Sequence, residues 1–375
     1  MNKVVFLNFV AVTILLTLLS STGSVFVMPK FDRGLIHEKI HLLTHTPVPV
    51  RTPARFTATK PHNSDTIILV GDVMLSRNVE FLSLSKGTDY PYRGFDFSSL
   101  AINPYLIANF ESSIPEVHIP TEALQMTFSV NPDLLESFKQ AGFSHTSLAN
   151  NHSYDYGEEG YTNAVKQLTE AGVTTFGNPD TISADAITYL QLNKKTVALI
   201  GLYALVHTPS DQELKALFSE ASKNSDFQIV YIHWGEEYQT KNNRTQKDLA
   251  ARLVHNGADL IIGHHPHVVQ NIDLIEGVPV FYSLGNYIFD QYFSTETETG
   301  LLVQLDFNQN TTINIIPVTS LGTLSQPHLM NPVEHYKFLA DLAQNSAPEL
   351  SKQITSGTIT LDSRVATSAK IAMMN

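Results

Sequence analysis

The sequence predicts an α/β fold, and three observations predict it. Short β-branched runs alternate with helix-like segments along the chain. Several of those runs are almost wholly apolar, so the sheets they form should be covered on both faces. Polar residues then gather where the runs end. With 375 residues, 43% of them hydrophobic, the chain can bury one sizeable core.

Taken in order, strands are expected over residues 66–70, 105–108, 145–149, 195–202, 227–232, 259–262, 278–283 and 301–307. Helices are expected over 131–141, 158–171 and 244–256, the second stopped by Gly172 and the third by Gly257. The stretch 301–319 reads as a closing antiparallel pair. Beyond Leu321 the pattern weakens to one helix, 335–344, and a polar end.

The first 28 residues have the parts of a signal peptide: Lys3, an apolar run from Val4 to Leu19, then Ser20 to Ser24. Read without a break from Val4 to Met28, the same residues are long enough for an uncleaved membrane anchor. A buried N-terminal helix of a cytosolic protein fits that pattern less well. The expectation is therefore an extracytoplasmic protein, tethered by this segment or secreted after its cleavage. Residues 29–64, with Pro47, Pro49, Pro53 and Pro61, read as a linker. A domain is expected over 65–321, with a C-terminal extension of unknown role over 322–375.

Charge and cysteine usage narrow the chemistry. With 24 Lys+Arg against 36 Asp+Glu the net charge is -12. No basic run interrupts it, so no nucleic-acid partner is expected. The chain has no cysteine, which excludes disulfides, thiolate ligands and a Cys nucleophile. Any metal must be held by nitrogen and oxygen.

Candidate ligands for one follow five separate strands: Asp72 the first; Asn109 and Glu111 the second, two apart and so on one side; Asn150, Asn151 and His152 the third; His233 the fifth; and His264, His265 and His267 the sixth. Singly these are weak signals: Gly-Asp is a common turn, Asn-Asn-His makes Asx turns, and a lone His is usually a satisfied core residue. Three imidazoles after one strand are harder to dismiss, because they repel on protonation unless a metal or carboxylates hold them. Asp, Glu, Asn and His without Cys suit Mn, Fe or Zn. A second carboxylate allows one to bridge two ions, which together clamp an anion and activate water.

These residues sit in a series of motifs. Gly71 to Arg77, Asn109-Phe110-Glu111, Ala149-Asn150-Asn151-His152 with Asp155-Tyr156-Gly157, His233-Trp234-Gly235-Glu236-Glu237-Tyr238, His265-Pro266-His267-Val268-Val269-Gln270 and Ser283 to Gln291 together resemble the CapA family. Its members are bacterial poly-γ-glutamate capsule biosynthesis proteins related to calcineurin-like metallophosphoesterases. The resemblance implies two mixed β-sheets in a sandwich flanked by helices, the four-layer metallophosphoesterase-like fold, with metals at the strand ends. It implies two divalent ions: Asp72 and His267 on the first, Glu111 bridging, Asn151, His233 and His265 on the second. It makes His152 the donor of a proton or hydrogen bond to the departing oxygen. Asp155 follows in the same motif, and Arg77 offers a planar fork for a carboxylate or phosphate; both join His152 as candidate catalytic residues.

There are departures. Met74 stands where metallophosphoesterases carry a histidine ligand, Asn-Phe-Glu replaces the motif with the bridging Asp, Ser76 replaces a Gly, and His264 has no counterpart. The function implied is synthesis, export or surface handling of poly-γ-glutamate or a similar anionic polymer by a metal-dependent hydrolase-type site, with the membrane and membrane-bound capsule synthesis proteins as partners. The alternatives are a phosphoesterase on another substrate and a non-catalytic polymer-binding subunit.

Overall fold

Residues 64–307 and 311–361 are described by a computed structural model. The expected leader 1–28 and linker residues 29–63 lie outside the described residues, as do 362–375. Among the described residues no helix is long and apolar enough to cross a membrane.

Strands β1 (Thr66–Val73), β2 (Tyr105–Phe110), β3 (Phe143–Ser147) and β4 (Thr174–Phe176) run parallel side by side. On the other side of β1 the sheet continues antiparallel through β12 (Thr299–Asp306), β13 (Thr312–Thr319) and the short β14 (His328–Leu329). The second sheet holds β5 (Ile187–Gln191), β6 (Thr196–Tyr203), β7 (Phe227–His233), β8 (Leu260–His264), β10 (Val278–Phe281) and β9 (Ile272–Ile275), in that order. Strands β6, β7, β8 and β10 are parallel, and β5 and β9 close the edges antiparallel.

Side-chain alternation explains how the two sheets stack. Ile67, Leu69 and Ile107 of the first sheet share one core with Leu199, Ile229, Tyr231 and Ile262 of the second. Their neighbours point the other way. Ile68, Val70 and Ala108 pack under α1 (Arg77–Lys86), α2 (Leu135–Gln140) and α3 (Gly157–Glu170) through Val79, Phe138 and Leu168. Ile200, Val230 and Ile261 pack under α4 (Asp211–Lys223) and α5 (Arg244–His255) through Phe218 and Leu253. The result is helix, sheet, sheet, helix: a four-layer sandwich.

After Leu321 the chain adds α6 (Pro332–Asn345), α7 (Ser351–Thr355) and β15 (Thr358–Thr360). Leu339, Leu342 and Ile354 enter the inter-sheet core, and β15 pairs with β13. The described part of the expected extension is therefore packed into the body.

One irregularity positions the chemistry. The register of β1 on β2 shifts between Leu69 and Asp72. The Val70 carbonyl accepts a hydrogen bond from the buried Tyr231 hydroxyl of the opposite sheet. Next to it, Gly71 meets β11 (Asn286–Ile288) so closely that a Cβ would lie 1.9 Å from the Gly285 carbonyl oxygen. Asp72 lands opposite Asn286.

Candidate metal centre

The carboxyl ends of β1, β2, β7 and β8, two strands from each sheet, converge on one buried cluster. Asp72 and Asn109 lie in the last turns of β1 and β2, Glu111 follows β2, and His233 and His264 are the final residues of β7 and β8. All are 1% exposed or less. Two groups of three have ligand atoms within 4.8 Å of one another: Asp72, Glu111 and His233; and Glu111, His265 and His267. Glu111 is common to both, as a bridging carboxylate would be.

Several polar atoms of this cluster have no protein partner. Glu111 Oε1, His233 Nε2, His264 Nε2, His265 Nδ1 and Asn151 Oδ1 are buried without a hydrogen-bond partner. Buried polar atoms are rarely left so, and several pointing into one place signal a bound group. An all nitrogen and oxygen donor set of this kind fits divalent cations. The cluster is compatible with metal binding.

Neighbouring side chains hold the ligands in place. Asn109 donates to Asp72 Oδ1 at 2.8 Å and lies 3.2 Å from His233 Nδ1. Asn150 is tied to Asn109 and to the Phe110 carbonyl, which fixes the turn carrying Asn151 and His152. His267 Nδ1 is 3.0 Å from Asn286 Oδ1 and 3.4 Å from Asp72 Oδ2. His264 Nδ1 is 3.2 Å from Asp72 Oδ1, so the histidine without a family counterpart buttresses that carboxylate. Met74 does not replace the missing histidine: it packs in the helix-side core of the first sheet, and its sulfur accepts hydrogen bonds from Ser76.

Electrostatics follow from burial and proximity. Burial alone would raise Asp72, but hydrogen bonds and charge from His264 and His267 hold its carboxyl well below the usual range. Burial pushes Glu111 well up, helped by the charges of Asp72, Glu237 and Asp155 and opposed by His267. Burial and the other imidazoles hold His233 well down and His265 down to about 3. Burial opposes charge on His267 too, but Glu111 and Asp72 overcome it and raise this imidazole to about 9. The metal-free cluster thus holds protons where a cation would hold the same groups together.

His152 stands beside the ligands. Its Nε2 is 3.9 Å from Glu111 Oε1, and its Nδ1 is 2.8 Å from Asp155 Oδ2. Asp155 also accepts the Phe128 backbone N–H, and the Phe128 ring stacks on His152 with centroids 4.0 Å apart. Phe128 comes from the long excursion after β2, which a His118 link to Glu80 and Ser129, 2.7 Å to each, ties to α1. Arg77 reaches the group through aromatic rings, with its guanidinium 4.6 Å from the Phe128 centroid and 5.8 Å from that of Phe289, and its fork is paired with Asp290. Asp290 also accepts the Asn78 backbone N–H. In this structure the Arg77 fork holds the chain instead of facing the ligands.

Backbone conformation marks the same place. Arg77, Tyr238, His265 and His267 are four of the eight non-glycine residues described in the left-handed region. Such conformations persist where surrounding structure over-determines them. Sequence reasoning singled out Asp72, Glu111, His233, His265 and His267, which meet, and His152 and Asp155, which adjoin them. It gave no role to Phe128, which sits in a loop with no periodicity, nor to Asn286, which it quoted only within a motif.

Comparison with known proteins agrees with this reading of the motifs. Capsule biosynthesis protein CapA of Bacillus anthracis is 32% identical over 276 residues, 68% of this chain and 67% of that protein. PGA biosynthesis protein CapA of Bacillus subtilis strain 168 is 29% identical over 312 residues, 78% of this chain and 81% of that one. Among solved structures, a phosphatase of Mycoplasma pneumoniae aligns with a TM-score of 0.42 at 14% identity, over 68% of this chain and 88% of that chain. Residues 66–291, which carry every ligand described above, match the family of the bacterial capsule synthesis protein PGA_cap, and the chain belongs to that family.

Proposed function

We propose that the protein acts outside the cytoplasm in biosynthesis, export or surface handling of capsular poly-γ-glutamate or a similar polymer, through a metal-dependent hydrolase-type site. The observation that carries this reading is the sharing of one buried carboxylate, Glu111, whose Oε1 has no hydrogen-bond partner, by two ligand groups. The capsule assignment draws on the two Bacillus relatives.

Asp72, Glu111, His233, His265 and His267 would hold two divalent ions, with the Asn151 amide oxygen a further ligand on the family pattern. Ions bound there would neutralise an anionic oxygen and acidify water for attack. The remaining roles fall to the chain itself. Asp155 holds His152 by Nδ1, so Nε2 faces the ligands and can give a proton to the departing atom. Phe128 covers the other face of that ring and keeps water from it. Ions there also answer how a chain of charge -12 would receive a polyanion: local positive charge at the centre outweighs the distant net charge.

The test is to follow the chain length of poly-γ-glutamate incubated with the protein, with and without a chelator. Metal-dependent shortening that His152→Gln abolishes supports the hydrolase. Binding without shortening favours the polymer-binding subunit, and turnover of phosphoesters alone favours the phosphoesterase. Placement is tested by protease treatment of intact cells: the reading expects digestion, and full protection until lysis would contradict it.

A further inference from the structure

The motif after β7 ends in Tyr238, a residue the ligand cluster does not use. Its side chain is 42% exposed, yet its backbone is left-handed, with φ of 63°. A tyrosine adopts that conformation at a cost, so something must hold it there. Two contacts do. Its N–H donates to the Pro266 carbonyl at 2.8 Å, between His265 and His267. Its hydroxyl accepts from Gln291 Nε2 at 3.2 Å. Gln291 Oε1 in turn accepts from Asn286, whose other amide atom contacts His267. An unbroken hydrogen-bonded chain thus fixes the Tyr238 ring relative to a candidate metal ligand, with ring centroids 6.1 Å apart.

Phe293 completes the feature. It is 66% exposed and meets Tyr238 edge to face at 5.3 Å. Two exposed aromatic rings in contact beside a buried polar cluster are a poor use of surface unless they touch something. Ring faces of this kind suit planar amides and methylene groups, which stack on them.

We propose that Tyr238 and Phe293 form an aromatic lip that selects the substrate, stacking on the amide planes and methylenes of an extended γ-amide-linked chain outside the ligand cluster. This rests on the reading that the site acts on such a polymer. The lip acts on the residues flanking the reacting bond and has no part in holding metal.

The experiment is calorimetric titration of the full chain, loaded with Mn, against poly-γ-glutamate, with elemental analysis of the same samples. Glycine adopts the left-handed conformation freely, so Tyr238→Gly removes the ring without straining the backbone. Tyr238→Gly and Phe293→Ala should each weaken polymer binding about tenfold, the scale of one stacked aromatic, at unchanged metal content. Tyr336→Ala, at a 65% exposed tyrosine on α6, should bind as the wild type does. Equal affinity in all four proteins would overturn the lip, as would a metal-loaded wild type that does not bind the polymer. The metal analysis separates failure of the lip from failure of the site beneath it.

Discussion

Asn286 shows how much of the centre depends on residues that are not obvious from chemistry alone. Asn286 accepts from or orients His267 at Nδ1 and is itself held by Gln291 and the Thr297 carbonyl. Partners of this kind typically contribute one to two decades of metal affinity. Asn286→Ala should therefore weaken Mn binding roughly tenfold or more in competition with a chelating dye, and unchanged affinity would remove it from the supporting set. His265 and His267 set a pH signature for the metal-free protein. His265 is neutral in the fold, lowered to about 3 from an ordinary 6.5, so its contribution is complete above 6.5 and lost as pH falls towards 3. His267 is raised to about 9, so its contribution is complete below 6.5 and lost as pH rises through 9. In the metal-free chain, His265→Asn should lessen the fall of the urea midpoint on the acid side of pH 6.5 and His267→Asn the fall on the alkaline side, each relative to the wild type. Variants whose pH profiles run parallel to the wild type's would contradict these assignments. At this scale the ligands were legible because each follows an apolar strand. Phe128 was not, because a ring in an irregular loop declares itself only when its neighbours are known.

Among the elements, β1 is tightly constrained. A Cβ on Gly71 would fall 1.9 Å from the Gly285 carbonyl oxygen, whereas one on Gly322 would meet nothing within 4 Å and suffer only its left-handed φ of 76°. Gly71→Ala should cost about 3 kcal/mol or more, through overpacking of backbone against backbone, and Gly322→Ala about 1 kcal/mol. Equal urea midpoints for the two variants would contradict the close approach of β1 and β11. The all-apolar strands and the glycine-stopped helices were readable from pattern. Helices α1, α4 and α7 were not. The α1 segment has no clean amphipathic period: Val79 and Leu82 are buried, whereas Phe81 and Leu84 are exposed. The α4 helix was missed although Ser210 and Glu213 form a capping box and Leu214, Leu217, Phe218 and Ala221 follow at helical spacing. The strand expected over 145–149 begins two residues earlier, at Phe143, and leaves the Asn150 turn free to bend towards Asn109.

For the molecule as a whole, the centre exists because two sheets end together. Asp72 and Glu111 come from one, His233 and the histidines after β8 from the other, and Tyr231 pins them by bonding the Val70 carbonyl across the core. Periodicity reveals strands but not their partners. Pairing Asp72 with Asn286, or β1 with β12, spans more than two hundred residues, and beforehand the family resemblance supplied only the two-sheet arrangement. The claim on which the rest depends is that Glu111 bridges two ions. The most direct test is elemental analysis of the wild-type chain beside Glu111→Gln and Glu116→Gln, the latter an exposed carboxylate a few residues on. The account predicts about two divalent ions per wild-type chain, as a bridged pair requires, the same for Glu116→Gln, and loss of most of the metal in Glu111→Gln. Equal metal in all three proteins, or none in the wild type, would contradict it.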